Sequence, residues 1–80
     1  MQGVTDEQAK KRISANLRKF RGELSLSEVA RRANSYPTTI KEIEDGVRMP
    51  GVGLLTRIAN ALEVPLEAFL ETSRKPAKSA

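Results

Sequence analysis

Three carboxylates fall within four residues at Glu42, Glu44 and Asp45. Such a cluster invites an acid–base or a metal reading. Acid–base work needs a partner group whose pKa is pushed apart from that of the acid, and a metal needs convergent ligands. Neither accompanies these acids: no nucleophile sits beside them, and the chain contains no cysteine and no histidine. Missing histidine removes the commonest metal ligand and the commonest proton-transfer group. Three acids at one helix end are accounted for by capping, ion pairing and solvation. The sequence therefore predicts no enzyme, no metal and no cofactor. What remains is hydrogen-bonding and charge chemistry. Its carriers are the hydroxyls of Ser25, Tyr36, Thr38 and Thr39, the cations of Arg21, Lys41 and Arg48, and the carboxylates of Glu42 and Glu44.

The elements that position these groups are read from apolar spacing and from stop signals. Thr5 can cap a first helix, with Asp6 and Glu7 favourable in its first turn and Ile13, Leu17 and Phe20 making one buried stripe. Gly22 ends it. Ser25 caps a second helix, and Glu28 three residues later predicts a reciprocal capping box. Val29, Ala30 and Ala33 face inward, and Asn34, tolerant of the left-handed conformation, marks the stop. Pro37 fits the first turn of a third helix, where its missing N–H costs nothing; Ile40 and Ile43 face inward and Gly46 ends it. Two short helices joined by a turn of three or four residues make a helix-turn-helix over about residues 25–45. A fourth helix is predicted over 52–62, with Val52, Leu55, Ile58, Ala59 and Leu62 inside, and a fifth short one begins at Pro65. The resulting expectation is an all-α, compact five-helix domain over residues 6–71. It is flanked by a flexible N-terminus at 1–5 and a polar, basic tail at 72–80 expected to be disordered.

Charge is distributed unevenly. The net charge is +4, but residues 8–41 carry nine Lys/Arg and two Glu, whereas residues 42–71 carry two Arg and six acids. A polyanion would approach the first half. A chain of 80 residues buries only about 60% of its unfolded surface, so dimerisation is a natural remedy for marginal stability. No apolar run approaches the ~20 residues of a membrane span, and the opening residues MQGVTDEQ lack the apolar stretch of a signal peptide. The expected location is the cytoplasm, at the nucleoid when bound to DNA, with no membrane partner and no small-molecule ligand.

Residues 17–69 resemble the lambda-repressor/Cro-type helix-turn-helix family, also called the xenobiotic-response-element type. The match runs through L-R-K-F-R, L-S-L-S-E-V-A, T-I-K-E-I-E-D-G and P-x-x-x-x-L-x-R-I-A-N-A-L-E-V-P-L-E-A-F-L in that order. No single segment is very specific; the ordered set is. The resemblance implies a five-helix fold whose third helix lies in the major groove, in a regulator that binds double-stranded DNA as a homodimer and acts as a repressor at a palindromic operator.

By the same resemblance, Tyr36, Pro37, Thr38 and Glu42 meet base edges, and Lys41 joins them by its place on the same outward face. Chemistry agrees: Thr38 can bond a base or touch a thymine methyl, Glu42 can accept from cytosine N4, and Lys41 can reach guanine. Ser25, Thr39 and Arg48 are assigned to phosphates. Arg21 and Glu44 match a structural ion pair joining the first helix to the end of the third. Leu66, Phe69 and Leu70 give the last helix more apolar surface than a small domain needs and predict a dimer seam. The chain departs from the pattern in its reading face, which has no outward Arg, Gln or Asn, and in Tyr36, where a capping Ser or Thr is common. Two alternatives keep the fold: an antitoxin that binds a toxin and represses its own operon, or a protein-interaction module.

Overall fold

The computed structural model describes residues 3–71. The basic tail at 72–80 and the first two residues of the expected flexible N-terminus lie outside the described residues. Four α-helices and a short 3-10 turn run in chain order: α1 (Asp6–Arg21), α2 (Leu26–Arg32), α3 (Pro37–Glu44), α4 (Val52–Leu62) and the turn Leu66–Leu70. Among the described residues there is no strand, and the all-α expectation holds.

Each helix starts where its cap allows. Thr5 accepts from the Gln8 N–H at 3.1 Å, and the Gln8 side chain accepts from the Thr5 N–H at 3.1 Å. This reciprocal capping box opens α1, not α2 where the sequence suggested it. Ser25 does cap α2, accepting from the Glu28 N–H at 3.0 Å. The Glu28 carboxylate, however, turns away to Arg31 and Arg32 on the same helix, because two guanidinium partners outcompete one backbone N–H. Asn34 adopts the expected left-handed backbone, φ 56°. The Ser35 N–H then reaches back to the Ala30 carbonyl at 2.8 Å, closing α2 in a Schellman-type turn. Gly46, φ 77°, closes α3 the same way, with the Val47 N–H on the Glu42 carbonyl at 3.0 Å. Glu63 closes α4 at φ 60°, a conformation that strains a non-glycine residue.

The core gathers Ile13 and Leu17 from α1, Val29 and Ala30 from α2 with Ala33 just after it, Ile40 and Ile43 from α3, Leu55, Ile58 and Ala59 from α4, and Phe69. Helix α3 packs against both α1 and α2, while α4 lies on α2 and the 3-10 turn lies on α1 and α4. Small Ala30 and Ala33 keep α2 close to its neighbours. The Phe69 ring is fully buried and meets Phe20 edge-on, centroids 5.2 Å apart.

One sequence expectation is corrected, and the short fifth helix is met in 3-10 form. Val52 was expected inside, but it is 75% exposed at the first position of α4, ahead of the first turn that meets the core. The fifth helix is a 3-10 turn of five residues, too short to propagate α-helical bonding after Pro65. Side chains from α1 hold it instead. The buried Asn16 amide donates to the carbonyls of Phe69 at 2.9 Å and Glu71 at 2.7 Å, and Arg12 Nη1 donates to that of Leu70 at 3.2 Å.

Candidate nucleic-acid interface

The two-helix unit, α2 and α3, presents its outward residues beside one another because Ile40 and Ile43 anchor α3 by its opposite side. Its first turn is the most open part. Tyr36 is the N-cap residue, makes no side-chain cap, and is 74% exposed; Pro37 and Thr38 are also exposed, and Thr39 is half-buried. Pro37 occupies the first turn, as expected from its missing N–H. Ser25 lies exposed at the start of α2; its oxygen serves as the cap, and its O–H donates to no other described residue.

Farther along α3, the outward charges are already engaged. Lys41 Nζ lies 3.0 and 3.1 Å from the two Asp45 oxygens. Arg48 Nε donates to Glu42 Oε1 at 2.7 Å. The two acids expected to cluster with Glu44 therefore diverge onto separate cations, and among the described residues no group of three or more acids is placed to hold a metal.

Glu44 goes the other way, into the protein. Its side chain is 4% exposed and takes a two-pronged bond from Arg21, Nε to Oε2 and Nη2 to Oε1, the latter at 3.0 Å. The Glu44 bond raises the Arg21 guanidinium above its ordinary pKa. Arg21 Nη1 also donates to the Leu24 carbonyl at 2.7 Å. The expected Arg21–Glu44 pair is thus formed. Two further α1 residues, missed in the sequence, act with it: the Ser14 hydroxyl and Arg18 Nη2, the latter at 3.0 Å, both donate to the Glu44 carbonyl. Opposite them, Arg57 of α4 donates to the Ala33 carbonyl at 2.9 Å. The last carbonyls of both interface helices are therefore capped by side chains from α1 and α4. Asn16 had a sequence signal, since it interrupts the Ile13–Leu17–Phe20 stripe with a polar group. Ser14, Arg18 and Arg57 had none.

On α2, Glu28 carries Arg31 first and Arg32 second, and these bonds lower its carboxyl to about pKa 2. Those arginines decorate α2 and neutralise its acid.

The residues expected at a dimer seam separate. Phe69 is wholly buried, so it belongs to the core of its own chain; Leu66 is half-buried and Leu70 is 43% exposed. Sequence alone could not divide the three, because the 3-10 turn sets a three-residue pitch in place of the helical one.

The helix-turn-helix family of the lambda-repressor/Cro type matches residues 15–69. No curated protein matches the chain. The match spans more than half of the sequence, and the chain belongs to this family of DNA-binding transcription regulators. No helix among the described residues is long and apolar enough to cross a membrane.

Proposed function

We propose that this helix-turn-helix protein is a homodimeric repressor that binds a palindromic operator with α3 in the major groove. The observation that carries this reading is the open first turn of α3. Tyr36, Pro37 and Thr38 stand outside the core, while Ile40, Ile43 and Glu44 fix the rest of the helix from behind. An aromatic hydroxyl, an apolar ring and a threonine can read a base edge and a thymine methyl. Lys41 lies one turn on and can exchange Asp45 for guanine. Ser25, Thr39 and Arg48 are the phosphate contacts, and they fix register without carrying sequence information. With few reading groups, DNA shape and bridging water supply part of the specificity.

The dimer is proposed to form through Leu70 and Leu66, with half-sites about one helical turn apart, ~34 Å. Charging this seam by Leu70→Glu should leave a folded monomer by light scattering; a persisting dimer moves the interface elsewhere. The deciding experiment for the function is selection from a random duplex library. Enrichment of a palindrome supports the repressor, and Thr38→Ala should relax the preference at one position of each half-site. A protein-interaction role, including that of an antitoxin, is the second reading. It is favoured by Val47, Met49 and Val52, apolar and exposed around the turn between α3 and α4. A module without DNA binding predicts no enriched sequence at all, whereas an antitoxin that represses its own operon still enriches its operator and is told apart by co-purification with its toxin.

A further inference from the structure

We propose that Glu42 acts on DNA through Arg48, as a charge brake: its carboxylate neutralises the cation of the loop after α3 and so limits sequence-independent attraction to phosphate. The proposal rests on the reading of α3 as the DNA-contacting helix.

Arg48 is the only Lys or Arg in residues 42–56. The Gly46 turn folds the loop back over Glu42, which then receives it twice. The Val47 N–H donates to the Glu42 carbonyl at 3.0 Å, and Arg48 Nε donates to the Glu42 carboxylate at 2.7 Å. Both side chains remain accessible, Arg48 at 50% and Glu42 at 38%. Only the Nε edge of the guanidinium is used, so the Nη groups point no bond at any other described residue. Along the same face Lys41 is matched by Asp45. Each outward cation of α3 and its loop therefore approaches DNA together with a carboxylate of its own.

Phosphate affinity grows with the number of uncompensated cations that displace counterions, each adding about 0.9 to the slope of log affinity against log salt. A cation that arrives with its carboxylate contributes little net charge. In this role Glu42 does not read cytosine. It keeps the loop from adding affinity for every sequence alike, which leaves discrimination to the first turn of α3.

Glu42→Gln separates the two roles, because it keeps the size and an acceptor oxygen while removing the charge. The full chain, Glu42→Gln, Arg48→Ala and the double variant are titrated against the selected operator and a random-sequence duplex from 50 to 200 mM salt. Glu42→Gln is expected to tighten binding to both duplexes by the same factor, about two- to fivefold, the range of an exposed ion pair. Its salt slope should steepen by about 0.9, an extra ~3.5-fold loss of affinity across that range. Arg48→Ala should weaken both duplexes equally, and the double variant should return to the wild-type slope. The proposal is overturned if Glu42→Gln shifts the preferred base at one position, if it leaves the slope unchanged, or if the double variant keeps the full gain. Wild-type binding that ignores Glu42→Gln refutes the brake alone. Absence of binding by wild type and all variants refutes the DNA reading itself, and the brake with it.

Discussion

Replacing Arg21 by methionine removes both prongs of the bond to Glu44 while preserving the length of the stem. The stranded carboxylate is 4% exposed, and its nearest remaining cation is Arg18 Nε at 3.8 Å, itself 62% exposed. Breaking a buried pair from one side costs about 3–5 kcal/mol. Arg21 is 22% exposed and Arg18 offers partial compensation, so the expected cost is about 2–4 kcal/mol. Glu44→Gln is milder. The guanidinium it frees still donates to the Leu24 carbonyl and has access to water, so about 1–2 kcal/mol is expected. Arg21→Met combined with Glu44→Leu removes both charges and should sit within about 1 kcal/mol of wild type. In a domain of this size each kcal/mol moves Tm by about 4–8 °C, so circular-dichroism melts resolve all three variants. The asymmetry is the critical outcome. If Glu44→Gln proves costlier than Arg21→Met, or if the double variant shows the sum of the single losses, the buried-carboxylate reasoning fails.

Three other perturbations test the scaffold. Glu63→Gly relieves the left-handed strain at φ 60° and should raise stability by about 0.5–1 kcal/mol in thermal melts; a loss would show that the Glu63 side chain contributes more than its backbone costs. Asn16→Ala leaves the carbonyls of Phe69 and Glu71 without their donor, and should cost about 2–3 kcal/mol and speed hydrogen exchange in the 3-10 turn. Glu28, held at about pKa 2 by Arg31 and then Arg32, binds fewer protons folded than unfolded, where a carboxyl titrates near its ordinary ~4.3. Its stabilising contribution is therefore complete above the unfolded value and declines as pH falls from about 4.5 towards 2; an acid unfolding limb identical in Glu28→Gln would rule this out.

The apolar skeleton was legible because its spacing is strongly periodic. Ile13 and Leu17, Ile40 and Ile43, and Ile58 and Ala59 face the core as their positions imply, and Asn34 and Gly46 stop their helices by a backbone preference that sequence reveals. Val52 misled because a valine following Pro50-Gly51 sits before the first turn that packs. Glu28 misled because its capping spacing coincides with the i+3 and i+4 spacing to Arg31 and Arg32. The Arg21–Glu44 pair was legible only through family resemblance, since 23 residues separate the partners. The Glu42–Arg48 pair was hidden for a different reason: its six-residue separation has no helical meaning until Gly46 turns the chain back.

Helix α3 is fastened at its far end. Ser14, Arg18 and Arg21 all converge on Glu44, its last residue, whereas its first turn projects with no side-chain cap. Mechanically it is a cantilever, clamped at one end and exposed at the other. Such a division makes the tip exchangeable: Tyr36 and Thr38 can be rewritten at little stability cost, within the roughly ±0.5 kcal/mol of ordinary surface changes. If α3 reads DNA as proposed, operator preference can then drift, or be engineered, by altering the tip while the clamp keeps the protein folded. Conversely, a change at Ser14, on α1 and at the clamped end, would re-aim the whole lever.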